Sequence, residues 1–324
     1  MIREGTDTGR IEGCLLMGPM DGGMTNYSTE VEFQRFGDAE IMELPLGGNR
    51  LAKNSSKYAM YGNSNSPALF MVGYGATRRM ETGDYSPGAN RRKMLPRYNR
   101  VASLFDEGLA LRPLNSWFPK LQAERKVEVL AIINSLLPHE DDLLLDALEG
   151  GEFLLESNGQ KIPYSALSDG FRAFIAWITD MLSHLCDCAP EGMKISQIPG
   201  LVLVDEVDLH LHPSWQLEVV DKLKSSFPML QFILTSHSPI VAGTLPARNL
   251  YLTQCNEKGE AELARGQEEI NGHSAEQILL GSYFGLSSTR AQGTRKELAA
   301  LAAKAAGGDL DAARAYAKLA GKGK

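Results

Sequence analysis

No run in this chain of 324 residues reaches the roughly 18 apolar positions of a membrane-spanning helix, and Met1 to Gly23 holds no apolar core of signal-peptide length. Nothing in the sequence directs export or insertion, so a cytoplasmic location without membrane contact is expected. Cysteine is scarce: Cys14, Cys186, Cys188 and Cys255. Cys186 and Cys188 stand too close for a zinc knuckle and no second pair follows, which excludes a cysteine metal framework and suits reduced thiols. Positive charge is short as well. Lys and Arg total 33 against 40 Asp and Glu, for a net charge of -7. The chain as a whole is no electrostatic trap for nucleic acid, and any DNA contact has to be local. The most basic stretch is Arg91, Arg92, Lys93, Arg97 and Arg100, with Arg78 and Arg79 just before it. Pro87, Gly88 and Pro96 fall among these residues, and a solvated loop is expected, with a nucleotide or nucleic-acid contact as the alternative. There is no repeat of solenoid period. There is also no second acidic cluster of the kind a two-metal nuclease requires.

What remains is a chain with 43% hydrophobic and 23% charged residues, enough to bury one large core or two modest ones. Residues 1 to about 60 are rich in Gly, Asn, Asp and Ser, which suggests small strands and long loops. The apolar run Pro67 to Tyr74 predicts a buried strand. Leu121 to Leu137 has helical spacing and stops at Pro138, and Asn158-Gly159 predicts a hairpin between Glu152–Glu156 and Gln160–Ile162. Helix and strand then alternate. Ser168 to Leu185 predicts a helix with an apolar face, Leu201 to Val204 a strand, Trp215 to Leu223 a helix begun by Pro213 and Ser214, and Gln231 to Thr235 a second buried strand. Short apolar strands joined through helices indicate a parallel sheet with helices on its faces. A hairpin with its turn at Lys258 and Gly259 follows, then an Ala-rich helical tail broken at Gly307 and Gly308. The expected parts are residues 1–120, β-rich with an Arg-rich loop; 121–165, a helix and hairpin insert; 166–265, a catalytic lobe; and 266–324, a helical tail.

The chemistry concentrates in three places. In Leu201–Glu206 an apolar strand runs straight into Asp205 and Glu206, which puts both carboxylates at the carboxyl edge of a sheet, where open α/β folds bind ligands. The first can hold Mg²⁺ through its water shell and the second can orient or deprotonate an attacking water. A solvated strand end would show acidic residues too. About thirty residues further on, Phe232–Pro239 is another apolar run ending in Ser236-His237, which brings His237 to the same edge, where it can contact a terminal phosphate. About thirty-five residues before the carboxylates, Ala166–Arg172 opens a helix at Ser168, Asp169 and Gly170, whose free N–H groups suit an anion. Separately, Ser168 is an ordinary helix cap and His237 an ordinary core histidine. Together, in this order and spacing, chance explains them poorly. His210 and His212 flank Leu211 beside Asp205, Glu206 and Asp208 and invite a metal site, against the plainer role of capping the helix at Pro213.

Leu-Ser-Asp-Gly, then Leu-Val-Leu-Val-Asp-Glu, then Thr-Ser-His-Ser-Pro resembles the signature loop, Walker B strand and switch histidine of ABC-class ATPase heads. More narrowly, Asp205–Gln216 and Gln231–Val241 resemble the RecF- and SMC-like AAA ATPases of bacteria, which include DNA-repair and phage-defence proteins. The likeness is continuous from about Leu167 to Val241 and looser at Gly73–Arg79 and Gly281–Arg290. It implies an α/β P-loop NTPase fold of ABC-ATPase type, with ATP and Mg²⁺ as cofactors. On that resemblance Asp205 coordinates Mg²⁺, Glu206 is the general base and His237 the switch residue. Asp208 meets the partner subunit, and Ser168, Asp169 and Gly170 grip the γ-phosphate across an interface between two copies of the head. An effector nuclease or other protein, and DNA, are the further partners it implies.

One part of that pattern is not found. No GxxxxGK[ST] phosphate loop occurs in the sequence; the nearest approach, Gly47 to Ser56, has Ala52 at the second glycine and Asn54 at the hydroxyl position. The Gly-Lys-Gly-Lys end follows no strand. The expectation is an ATPase whose phosphate loop lies upstream or comes from another chain, and which is inactive alone. A catalytically silent head kept as a scaffold for partner binding is the alternative.

Overall fold

In the computed structural model the described residues are 8–17, 25–36, 39–43, 70–78, 96–138, 144–149, 152–157, 159–256 and 258–321. The chain divides into two compact units, Met1–Ser236 and His237–Lys324. The first unit begins with an antiparallel meander, β1 (Thr8–Met17), β2 (Thr25–Phe36) and β3 (Ala39–Glu43). These strands are longer than the loop-rich composition predicts. Gly47–Ser56 lies outside the described residues.

The core of this unit is a parallel sheet. β4 (Phe70–Tyr74) pairs with β8 (Gly200–Val204), and β8 with β9 (Leu230–Leu234), in the order β4-β8-β9. The register sets Tyr74, Val204 and Leu234 level, so all three strands end at one edge. Phe70, Val72 and Tyr74 share a face with Val202 and Val204, and all five are buried. The α/β class holds, with a parallel sheet, accompanying helices and a helical C-terminal region. β9 is less buried than its apolar sequence predicts. It pairs only with β8 among the described strands, and Ile233 is 49% exposed.

Between β4 and β8 lie α1 (Pro96–Val101), the short α2 (Leu114–Trp117) and α3 (Ala123–Leu136). β5 (Leu144–Glu149), β6 (Glu152–Ser157) and β7 (Gln160–Pro163) form an antiparallel ribbon. The Asn-Gly hairpin is there, with Gly159 at φ 75° and Ser157 opposite Gln160. α4 (Asp169–Cys188) follows; its predicted apolar face is buried, and the burial extends beyond that face. Every residue from Phe174 to Leu185 is buried, including Thr179, Asp180, Ser183 and His184. A helix covered all round is an interior helix, and its polar side chains must find partners there. The Cys186 thiol on this helix is pushed up to about 12, chiefly by burial. α5 (Pro213–Ser226) joins β8 to β9.

The second unit contains α6 (Pro239–Gly243), the hairpin β10 (Tyr251–Cys255) and β11 (Ala261–Arg265), and α7 (Ala275–Leu280). α8 (Gln292–Ala306) and α9 (Leu310–Ala320) end it, separated as expected at Gly307 and Gly308. No described helix is long and apolar enough to cross a membrane.

Candidate active site

The carboxylates stand one step beyond the sheet. The Asp205 N–H donates to the Tyr74 carbonyl at 2.8 Å, and the Thr235 N–H to the Val204 carbonyl at 3.0 Å, so β4, β8 and β9 deliver the edge as one piece. Glu206 then turns sharply, at φ 50°, into the left-handed region that costs a side-chain-bearing residue about 1–3 kcal/mol and persists only when its surroundings hold it. Three groups do so. The Glu206 N–H donates to Thr235 Oγ1 at 2.8 Å, and the Thr235 hydroxyl donates to Asp205 Oδ1 at 2.5 Å. Arg78 Nη2 donates to the carbonyls of Asp205 and Glu206 at 2.5 and 2.6 Å.

Arg78 corrects the solvated-loop expectation. It is 7% exposed, and its guanidinium lies 5.8 Å from the centre of the Trp177 ring. Burial lowers its pKa to about 10, against the pull of Asp205, Asp208 and Glu206, so it is a cation at neutral pH. Arg100 is buried as well, over the Phe70 ring. Arg79, Arg91, Arg92 and Lys93 lie outside the described residues, and Arg97 is described in its backbone only.

The predicted Ser168 loop is the start of α4. Ser168 Oγ accepts the Phe171 N–H at 3.3 Å, and Asp169 pairs with Arg172 while remaining exposed. Gly170 is fixed by a close approach. A Cβ there would overlap the His210 carbonyl oxygen and come within 2.9 Å of His210 Cβ. The turn after the carboxylates is thereby packed against the first turn of α4, and His210 itself is left-handed at φ 64°. The structure thus brings Ser168, Asp169, Gly170, Asp205, Glu206 and Asp208 into one connected region. His237 is the first residue of the second unit, two positions after Thr235.

His212 is a cap. Its Nδ1 stands 2.9 Å from Ser214 Oγ and accepts the Ser214 N–H at 3.4 Å, which starts α5. No group of three or more His, Cys, Asp or Glu side chains among the described residues is disposed to hold a metal. A Mg²⁺ ion fits only as Asp205 would hold it, with phosphate and water oxygens completing its shell. One orphaned atom is consistent with such an acidic edge: Asp208 Oδ1 is buried without a hydrogen-bond partner among the described residues.

Behind the edge, α4 is wired into it. Tyr74 packs against Trp177 with the rings tilted by 51° and their centres 5.6 Å apart, and its hydroxyl donates to Asp180 Oδ2 at 2.9 Å. Asp180 Oδ1 accepts the Arg112 N–H at 2.7 Å, and His184 Nε2 stands 3.4 Å from Oδ2. Burial alone pushes Asp180 up; the His184 charge and hydrogen bond, the Arg112 N–H and the Tyr74 hydroxyl outweigh it and hold the group below its ordinary value. Arg78, Thr235 and Asp180 were all missed by sequence reasoning. Only Arg78 left a signal, the Gly-Tyr-Gly-Ala-Thr-Arg run that begins at the end of β4.

A parallel sheet whose central strand runs into adjacent carboxylates, with a capped helix packed on the following turn, defines an open α/β fold with a ligand-binding edge at the carboxyl ends of its strands. The chain belongs to the AAA_21 family, described as "AAA domain, putative AbiEii toxin, Type IV TA system", which matches residues 78–242. It is 30% identical over 244 residues to the Septu protein PtuA of Bacillus mycoides, covering 73% of this chain and 32% of that one. It is 41% identical over 93 residues to the Retron Vc95 probable ATPase of Vibrio cholerae, covering 29% and 18%. The chain thus spans about a third or less of these relatives. Among solved structures, the SMC head domain from Thermotoga maritima is similar at 14% identity and a TM-score of 0.43, covering 81% of this chain and 76% of that one.

Proposed function

We propose that this chain is part of an ATP-hydrolysing head that dimerises around ATP and Mg²⁺ and couples closure to an effector protein or to DNA, in cytoplasmic defence against phage. The observation that supports it most is the held Asp205–Glu206 pair, presented where the start of α4 also arrives. Asp205 would hold Mg²⁺, and Glu206, in its fixed turn, would take a proton from the attacking water. His237 would contact the terminal phosphate. Ser168, Asp169 and Gly170 would close over the γ-phosphate of a nucleotide held by a second head. The likeness to PtuA and to a retron ATPase supports the defence setting.

The test uses protein made from its native locus and tagged at the C-terminus, so that whatever the gene encodes upstream is retained. Glu206→Gln is expected to lower turnover by about 10²–10⁴-fold, the span of general-base contributions. ATP-dependent dimerisation, read by light scattering, is expected to persist. Unchanged turnover removes Glu206 from the role of base. A wild-type protein that binds no ATP would instead establish the scaffold.

A further inference from the structure

We propose that Arg78 and Thr235 form a two-sided clamp that holds Glu206 in its left-handed conformation, and that both act as positioning residues for the hydrolytic step. The second half of this statement rests on the ATPase function proposed above; the first does not. The two residues approach from different strands. Arg78 comes from the segment after β4 and takes the carbonyl side of the turn, at 2.5 and 2.6 Å. Thr235 follows β9 and takes the amide side, its hydroxyl donating a hydrogen bond to Asp205 Oδ1 and accepting one from the Glu206 N–H. The Val207 N–H then donates to the Thr235 carbonyl at 2.9 Å, and the Leu209 N–H to the Glu206 carbonyl at 3.0 Å.

The choice of acceptors gives the clamp its purpose. Three carboxylates, Asp205, Asp208 and Glu206, are near enough to act on Arg78. A buried guanidinium beside them would ordinarily form a bidentate ion pair. Its Nη2 instead binds two main-chain carbonyls, and Arg78 makes no ion pair among the described residues. Its charge thus offsets the acidic edge without occupying the carboxylate of Glu206. The Trp177 face prevents the side chain from swinging away, and burial denies it water. Such a cation is retained at a desolvation cost that a surface loop would not bear. Its return is a fixed Glu206.

Amide hydrogen exchange tests the clamp without reference to turnover. In Arg78→Met the amides of Glu206, Val207 and Leu209 are expected to exchange at least about tenfold faster, while those of Asp205 and Thr235 stay within about twofold. Thr235→Val should do the same, and Thr235→Ser, which keeps the hydroxyl, should not. Placing Glu206→Gly on Arg78→Met should restore slow exchange in the turn, because glycine enters the left-handed region unaided. Unchanged exchange in Arg78→Met, loss of protection across the whole sheet, or no rescue by glycine would each overturn the clamp. In native-locus protein, Arg78→Met and Thr235→Val are further expected to lower kcat at least about tenfold with KM for ATP within about threefold, as misplacement of a reacting group does. Normal kcat with a loosened turn refutes the positioning role. Absence of turnover in the wild type refutes the ATPase function and leaves the clamp standing.

Discussion

Gly170 shows how tightly one position can bind two elements. Its missing side chain lets the His210 carbonyl reach the first turn of α4, and that carbonyl is main chain that cannot rotate away. Gly170→Ala is therefore expected to destabilise the first unit by about 1–3 kcal/mol, the ordinary cost of overpacking, measured by urea unfolding. An alanine is otherwise the better helix former, so an unchanged or raised stability would show that the turn yields freely. The residues that sequence reading singles out here, Ser168, Asp169, Gly170, Asp205, Glu206 and Asp208, share one trait: each lies in a run where chemical type and local spacing are informative together. Arg78 and Thr235 do not. Their partners are main-chain atoms and a carboxylate far along the chain, and no local pattern separates a threonine that bridges two strands from one that merely ends a strand. Arg78 was misjudged because charge density and nearby prolines imply solvent unless a buried acceptor is known.

Among elements, α4 is the one whose apolar pattern conveyed too little. Its hydrophobic positions mark a buried face, but Asp180 and His184 lie on the side that a surface helix would expose, and only tertiary packing encloses them. β5 and the length of the β1–β3 meander were illegible for a related reason: antiparallel pairing is settled between distant residues, whereas β4, β8 and β9 are short apolar runs that declare themselves. The buried carboxylate has a consequence that can be measured. Because the folded state holds Asp180 below its ordinary value of 3.8, its contribution to stability is complete above that pH and is lost as pH falls through the lowered folded value. Asp180→Asn should thus cost about 1–3 kcal/mol at pH 7, the penalty for depriving the buried Tyr74 hydroxyl and Arg112 N–H of a carboxylate acceptor. The cost should shrink toward nothing in strong acid, which flattens the acid limb of the stability curve. Tyr74→Phe removes a single donor from the same carboxylate and should cost less. If Asp180→Asn shifted stability equally at every pH, the carboxylate charge would not be what the helix core requires.

The molecule as a whole divides its stability unevenly. In the first unit Trp177, Met181, Leu182 and Leu185 are fully buried beside Phe70, Val72 and Val202 of the sheet. In the second, α8 has no buried residue and α9 has only Ala312, while Leu310 is 74% exposed and Tyr316 40%. The two helices pack on each other, Arg290 donates to the carbonyls of Leu319 and Ala320 at 3.2 and 2.6 Å, and Arg295 donates to Ser287 Oγ at 3.0 Å. Helices of 15 and 11 residues are marginal in water without an apolar face to bury. They should therefore open far more readily than the sheet and α4, with amide protection near zero against the global free energy in the core. Ending the chain after Ala291 tests this directly. Such a cut deletes no core side chain of the first unit, so the unfolding midpoint of that unit, followed by Trp fluorescence in urea, is expected to shift by less than about 0.5 kcal/mol. All three tryptophans, Trp117, Trp177 and Trp215, lie in the first unit, so the signal reports on it alone. A loss of 2 kcal/mol or more, in the range of a deleted core side chain, would mean that the terminal helices support the sheet, and that stability in this chain is shared rather than concentrated around α4.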